Sequence, residues 1–400
     1  MADFDRLNRP FGNEQGEITP IEWVDLVVDR AIGLKASDIH FDISFGTFVT
    51  RVRVDGILYK IDERPGDKAE MIIARLKIMG LLNSSEHRLP QEGHAVIDIK
   101  DEKVDIRISI FPTIFGEVAA VRILNRREFL FNTFEEMGMD PRDAELMGDI
   151  VRRPHGMILV TGPTGSGKSA TLYTALNQVR SVEKNIVTLE DPVEYQLELV
   201  RQSQINPEIN YDFARGMRSI LRQDPDVIMI GEIRDNETAE IAVRAALTGR
   251  LLFSTLHTND TIGAVIRFIE FGIPRSFVAT ALLLIIAKRL VRQNCPQCRQ
   301  PYQPAEKFLK EAGIPLQEAT GFFRGSGCEN CRGTGFAGRV GVYELFHVDK
   351  DIQTLIIEQA PFMKVWETAR TKGLRTLREE ALRLAQNGQT TLEEAIHVTA

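Results

Sequence analysis

Cysteine is scarce: the 400 residues hold four, all in two close pairs, Cys295-Pro-Gln-Cys298 and Cys328-Glu-Asn-Cys331. That excludes a disulfide-built scaffold, and the C-x-x-C spacing suggests metal before disulfide. Basic excess is lacking too. The net charge is −7 and the pI about 5.7, so no global basic field points to nucleic acid. The start, Met-Ala-Asp-Phe-Asp-Arg, lacks the basic-then-apolar order of a secretory signal. No apolar run approaches the ~20 residues that span a bilayer. The longest lies within Phe277 to Ala287 and is expected to be a buried helix. Internal repeats and low-complexity tracts are absent as well. What is present is a globular composition, 43% hydrophobic and 26% charged. A chain of this length exceeds one ordinary core, so two or three domains are expected.

The chain is organised around Met157-Ile-Leu-Val-Thr-Gly162-Pro163-Thr164-Gly165-Ser166-Gly167-Lys168-Ser169-Ala170. An apolar run reads as a buried strand, a glycine-rich turn follows, and a helix-forming segment comes next. Gly162 to Ser169 fits the phosphate-loop pattern G-x-x-x-x-G-K-[ST]. Glycines let successive backbone N–H groups turn inward around an anion, and the helix N-terminus adds partial positive charge. Lys168 is expected to reach the β- and γ-phosphates of a nucleoside triphosphate, and Ser169 to hold Mg²⁺.

Either side of this stretch the pattern changes. Residues 1–17 read as a loose arm. Thr19-Pro20 is a helix start, and alternating strands are expected at 37–43, 48–54, 95–99, 103–111 and 118–124, with a hairpin signal at Asp55-Gly56. A helix is expected over 66–82. Residues 18–125 therefore read as a small α+β domain with a largely antiparallel sheet, and 126–135 as a linker. Strands at 157–161, 186–190, 227–231 and 251–255 then alternate with helices at 168–180, 211–222, 236–247 and 261–270. That βαβ rhythm implies a mainly parallel, doubly wound sheet over 136–290. A cysteine-bearing segment fills 291–345, and helices close the chain over 346–400, the last opening at Thr391 with Glu394 as in a capping box.

Two acidic segments end core strands, where a parallel sheet places its ligand. Glu190-Asp191-Pro192-Val193-Glu194 follows the second. Glu232 follows the third, in the position of a Walker B acid. The cysteine pairs have the composition of a four-thiolate Zn²⁺ site, although the segment between them is longer than in common ribbon sites.

Together these stretches resemble the secretion ATPases of type II secretion and type IV pilus assembly, over roughly residues 18 to 400. The Walker A box is Gly162–Ser169, the aspartate box Glu190–Glu194, and the Walker B box Ile228–Asp235. The histidine box runs from Thr248 through Arg250 and His257 to Asp260. Ala36-Ser-Asp-Ile-His40-Phe and Asp105-Ile-Arg107-Ile-Ser-Ile-Phe-Pro112-Thr113 resemble family signatures of the N-terminal domain.

The resemblance implies an α/β fold: a RecA-like P-loop core, a smaller PAS-like α+β domain before it, and a zinc-binding and helical region after it. It implies that Glu194 activates water, that Glu232 supports Mg²⁺, and that His257 senses or positions the γ-phosphate. Arg107 and Arg122 match arginines that the family lays over the nucleotide. Many members carry a second histidine where this chain has Arg250, which leaves that position a phosphate or intersubunit contact. His94 stands where arginine is more usual and is assigned no role.

The function implied is an ATP-hydrolysing homo-hexameric motor using ATP, Mg²⁺ and Zn²⁺. Its partners would be an inner-membrane platform protein and a cytoplasmic adaptor, with no direct nucleic acid. It would be cytoplasmic, peripheral to the inner membrane through those partners. A retraction motor and a conjugation-type transport ATPase are the alternatives. The cysteine knuckles are typical of the family's export and assembly branches, not of retraction. Export members often carry a further N-terminal adaptor-docking domain, whereas about 17 residues precede the small domain here.

Overall fold

The computed structural model describes residues 18–99, 102–124 and 131–400. The expected arm over 1–17 and the first half of the expected linker, 126–130, lie outside the described residues. The chain divides into two compact units. One holds the described residues up to Leu124 together with 295–299 and 325–338; the other holds the remainder.

The first unit opens with α1 (Pro20–Gly33). Thr19 Oγ1 accepts from the Glu22 amide at 3.3 Å, and the Glu22 carboxylate accepts from the Thr19 amide at 3.0 Å, a complete capping box. Six strands follow: β1 (Asp38–Ser44), β2 (Thr47–Val54), β3 (Ile57–Pro65), then, after α2 (Ala69–Met79), β4 (Gln91–Ile99), β5 (Glu102–Thr113) and β6 (Gly116–Leu124). They form one sheet in the order β3-β2-β1-β6-β5-β4, with every pair antiparallel. Asp55 and Gly56, both at positive φ (+49° and +85°), make the tight turn between β2 and β3. Alternation does the packing: Phe48, Thr50, Val52 and Val54 of β2 are buried while their neighbours are half-exposed. The inward face meets α1 and α2, with Trp23 packed edge-on against Phe41 and Phe48. One lysine is enclosed here. Lys77 is fully buried, and its ammonium donates to Glu117 at 2.8 Å and to the Glu86 carbonyl at 2.6 Å.

The second unit is built on alternating strands and helices: α3 (Pro141–Ile150), β7 (Gly156–Thr161), α4 (Lys168–Val179), β8 (Ile186–Glu190), β9 (Val200–Gln204), α5 (Phe213–Ile220), β10 (Val227–Ile230), α6 (Asn236–Leu247), β11 (Leu251–Leu256), α7 (Thr261–Glu270), α8 (Arg275–Ala281) and β12 (Leu282–Asn294). After the short strands β13 (Arg299–Pro301) and β14 (Phe323–Gly325), with α9 (Glu306–Ala312) between them, β15 (Phe336–His347) completes a seven-stranded sheet ordered β15-β12-β7-β11-β10-β8-β9. The pairs β12-β7, β7-β11, β11-β10, β10-β8 and β8-β9 are parallel. Apolar layers on both faces cover it, so β7, β8, β10 and β11 are buried at every position.

The expected buried helix over 277–287 is corrected. Helix α8 ends at Ala281, and residues from Leu282 onward are strand β12, paired with β7. An apolar run covered on both faces carries no periodicity, so strand and helix look alike in sequence. Strand β9 was also missed, because Val200-Arg-Gln-Ser-Gln204 at the sheet edge is polar.

The chain closes with α10 (Lys350–Ile357), α11 (Phe362–Thr371), α12 (Leu377–Gln386) and α13 (Leu392–Val398). Glu344 of β15, buried, fastens this region: its carboxylate accepts from the Thr261 hydroxyl (2.5 Å), the Thr261 amide (3.2 Å) and the Leu377 amide (3.3 Å). One carboxylate thus satisfies amides at the starts of both α7 and α12. At α13 only half of the expected capping box forms. Thr391 Oγ1 accepts from the Glu394 amide at 3.2 Å, but the Glu394 carboxylate is taken by Arg292 at 2.6 Å. A bidentate guanidinium outcompetes a single backbone N–H.

Candidate nucleotide site

The phosphate loop leaves β7 at Thr161 and enters α4 at Lys168. Two of its glycines are dictated by space. A Cβ on Gly162 (φ +145°) would lie 2.4 Å from the Lys288 carbonyl oxygen, and one on Gly167 (φ +80°) 3.1 Å from the Lys288 ammonium. Pro163, Thr164 and Gly165 are exposed at the rim, whereas Ser166 and Ala170 are buried, and Ser169 occupies the first turn of α4. Lys168 folds back on its own loop. It donates to the Gly162 carbonyl at 2.8 Å and the Pro163 carbonyl at 3.2 Å, contacts that an incoming phosphate would replace. Burial pulls its pKa below the usual lysine value, while the Glu232 carboxylate works to keep its proton on.

Glu232 sits just beyond β10, with its side chain 15% exposed. It pairs with Arg234 at 2.5 Å, and His257 Nε2 lies 3.1 Å from its second oxygen. Burial acts to raise its pKa, but Arg234 and His257 prevail and hold it below the ordinary carboxylate range. The ends of β10 and β11 and the start of α4 thus bring Lys168, Glu232 and His257 into one electrostatic neighbourhood. Thr161 ties β7 to the histidine box: its hydroxyl lies 2.8 Å from the Thr258 amide, which donates to it. Arg289, just after Lys288, donates to the Asn259 carbonyl at 3.0 Å.

The aspartate box divides into unlike parts. Glu190 is 4% exposed and fully engaged, accepting from Tyr173, from Thr188 Oγ1 at 2.5 Å and from Gln202 at 3.1 Å. It braces the site instead of facing ligand. Tyr173, one turn beyond Ser169 on α4, also accepts from the Glu194 amide at 3.1 Å, so the helix that carries the phosphate loop positions the backbone of Glu194. Burial and the Glu190 charge push the Tyr173 hydroxyl pKa far up, which keeps it a donor. Sequence reasoning missed Tyr173. Its only signal is a tyrosine inside an apolar helix, whose hydroxyl needs a partner when buried.

Arg250 lies at the wrong end for a phosphate contact within its own chain. It precedes β11, level with the start of β7, since Leu251 pairs with Gly156 and Leu256 with Thr161. The strand separates it from His257 by about 20 Å. Its guanidinium instead donates to the Thr248 carbonyl at 3.0 Å.

Arg107 and Arg122 occur in the first unit, directly opposite one another on β5 and β6. The same cross-strand row places His94 beside Arg107, and Asp38 then Arg53 beside Arg122. Arg122 Nε is 3.1 Å from Asp38, and its side chain is 58% exposed. Like charges stacked across strands repel. Three arginines and one aspartate share this row, and Asp105, two residues from Arg107 on the same strand, lies 3.4 Å from His94.

The four cysteines converge. Their sulfurs all lie within 4.8 Å of one another, and three of the pairs, Cys295–Cys328, Cys298–Cys331 and Cys328–Cys331, stand at 3.7 Å. A tetrahedral ion with bonds of about 2.3 Å sets its sulfurs about 3.8 Å apart, so the donor set fits Zn²⁺. The Cys328 and Gly335 amides donate to Cys331 Sγ at 3.1 and 3.3 Å, and the Asn330 amide group to Cys295 Sγ at 3.3 Å. Such donors stabilise thiolates. The long intervening segment is no obstacle, because the knuckles meet through glycines: a Cβ on Gly325 would lie 2.1 Å from the Gly335 carbonyl oxygen.

The profile of the type II/IV secretion system protein family matches residues 13–397. Type II secretion system protein E of Pseudomonas aeruginosa is 42% identical over 387 residues, covering 96% of this chain and 77% of that protein. The type IV pilus assembly ATPase PilB of Myxococcus xanthus is 42% identical over 384 residues, covering 95% and 68%. Among solved structures, the pilus retraction motor PilT with bound ADP superposes with a TM-score of 0.63 at 28% identity, covering 96% of this chain and 97% of that one. The Yersinia pseudotuberculosis ATPase DotB shares the fold, with a TM-score of 0.72 at 20% identity over 98% and 96% of the two chains. With a phosphate loop, a Walker B acid and a histidine box meeting at one edge of a parallel sheet, this chain belongs to the type II/IV secretion system family, as one of its ATPases.

Proposed function

We propose that this ATPase works as a homo-hexameric motor for assembly of a secretion pseudopilus or a type IV pilus, and that the residues above divide the chemistry as follows. The phosphate-loop amides from Gly162 to Ala170 cradle the phosphates, and Lys168 leaves its loop carbonyls to meet the β- and γ-oxygens. Ser169 and Glu232 hold Mg²⁺, which when bound neutralises charge on the transferring phosphoryl group. Glu194, its backbone fixed by Tyr173, orients the attacking water. His257, held by Glu232, reports the presence of the γ-phosphate. Arg107 and Arg122 close over the nucleotide, and their release after hydrolysis is the movement the machine uses. The observation that carries this reading is the meeting of Lys168, Glu232 and His257 at the sheet's C-terminal edge.

The domain roles follow. Residues 18–125 are a PAS-like moving lobe, a reading supported by a six-stranded antiparallel sheet with two helices on its core face. Residues 136–290, completed by the end of β12 and by β15, are the RecA-like core, the cysteine-bearing remainder of 291–345 is a zinc-stabilised segment, and 346–400 a helical cap. Cys295, Cys298, Cys328 and Cys331 hold a structural Zn²⁺. The motor is cytoplasmic and reaches the inner membrane through a platform protein and an adaptor. Among the described residues no helix is long and apolar enough to cross a membrane. Assembly is favoured over retraction because the relatives at 42% identity carry secretion and assembly names, against 28% for the retraction motor.

The test is phosphate release. Lys168→Ala is expected to abolish both nucleotide binding and turnover. Glu194→Gln is expected to lower turnover by about 10³ while leaving nucleotide affinity within a few-fold. Equal rates for wild type and Glu194→Gln would leave a nucleotide-gated scaffold as the function.

A further inference from the structure

Lys288 belongs to the nucleotide site, and none of the roles above uses it. It lies on β12 next to Ala287, which pairs with Thr161 at the end of β7, so it comes directly under the phosphate loop. Its side chain is 2% exposed. The ammonium donates to the Gly167 carbonyl at 3.1 Å and to Thr171 Oγ1 at 3.0 Å, and it lies 5.1 Å from the centre of the Tyr343 ring. Among the described residues it has no carboxylate partner. The charged group that acts on it is Arg339 of β15, which is also cationic. Arg289, next on its strand, donates to the Lys288 carbonyl at 3.2 Å, and Lys168 of the loop in front donates to the Gly162 carbonyl at 2.8 Å. Buried lysines normally find an anion or lose their charge.

We propose that Lys288 is a second cation of the phosphate site, approaching it from behind through Gly167, and that it gains a proton when a nucleotide's phosphates occupy the front of the loop. The inference rests on the nucleotide reading of that loop and names a further residue and a linkage within it. Two observations support it. First, the missing anion is the one the loop is built to accept: the ammonium holds the carbonyl of Gly167, the N-cap residue just before α4. Second, burial lowers the lysine's pKa to about 7, so without ligand it is poised to be neutral above that pH. A phosphate charge about 10 Å away at an effective dielectric of about 20 raises a lysine pKa by about one unit, and a di- or triphosphate carries several such charges. Neutral Lys288 keeps its hydrogen bonds to Gly167 and Thr171. What changes on binding is its charge.

The experiment is calorimetric titration of the full chain with Mg·ADP at pH 8, in buffers of different ionisation enthalpy. At that pH the ADP phosphates are already deprotonated, and ADP is not hydrolysed. Wild type is expected to take up about half a proton per ADP, and its affinity to fall several-fold between pH 7.5 and 8.5. Lys288→Gln, always neutral, and Lys288→Arg, always charged, are each expected to bind ADP with the uptake reduced to near zero, for opposite reasons. Uptake that persists unchanged in either folded variant assigns the proton to another group and overturns the inference. Tight wild-type binding with no uptake overturns it from wild type alone. Failure of wild type to bind ADP at all would refute the nucleotide reading itself, a separate outcome.

Discussion

The two sheets of this protein use their strands in opposite ways. In the core sheet β7, β8, β10 and β11 are buried at every position, so no face is free and chemistry is confined to the strand ends, where Gly162, Glu190 and Glu232 emerge and His257 follows. In the N-terminal sheet β2 alternates strictly, one face going to the Trp23 core and the other carrying charge. Its functional candidates are therefore mid-strand residues in a row, Arg107 opposite Arg122 with Asp38 and Arg53 alongside. A sheet covered on both faces positions ligands at its edge. A sheet covered on one face presents a surface that can be brought to a ligand and withdrawn.

That contrast can be broken by exchanging the kind of substitution made in each sheet. The strand-end substitutions Lys168→Ala and Glu194→Gln carry the largest expected effects on turnover, with little change in unfolding of the nucleotide-free protein. Next, Arg122→Ala in the N-terminal sheet should slow turnover by about 10² without destabilising its unit, since its Asp38 ion pair is half-exposed. A loss of thermal stability comparable to the loss of rate would make the arginine row structural. Mid-strand change in the core should do the reverse. Leu159→Ala, fully buried in β7, is expected to cost about 2–5 kcal/mol in denaturant unfolding. If the four thiolates hold zinc as proposed, Cys298→Ser should lower its stoichiometry, read by metal analysis, and lower the melting temperature by several degrees while leaving the Lys168 site able to bind ADP. Zinc retained at full stoichiometry would remove Cys298 from the ligand set.

A further expected effect is one of pH. With Lys288 at about 7 in the folded protein and near 10.4 when unfolded, the unfolded chain binds more protons between those values. Stability without nucleotide should thus rise as pH rises from 7 toward 10. Lys288→Met should flatten that slope, and an unchanged slope would locate the titration elsewhere.

Much of this was legible in the residues. The phosphate loop, the βαβ rhythm, the antiparallel alternation and the paired cysteines are local patterns, and each reappears at its expected place. Misreadings occurred where local pattern carries no information. The run from Phe277 to Ala287 is apolar but for Thr280, and only its pairing with β7 makes most of it strand. Thr391 and Glu394 have capping-box spacing, but Arg292, 102 residues away from Glu394, takes the carboxylate. Glu190 looks like a site acid until Tyr173, Thr188 and Gln202 are seen around it.

Glycine turns, helix starts and thiolate pairs depend on neighbours a few residues apart, so the candidate phosphate and metal groups could be read from the residues alone. Tertiary structure decided which of those groups meet and what charge they carry. His257 reaches Glu232 across parallel strands, Arg250 is carried to the far end of the same sheet, and Lys288 is sealed beneath Gly167. Proximity and burial set a side chain's electrostatic environment, and both arise only when distant segments pack.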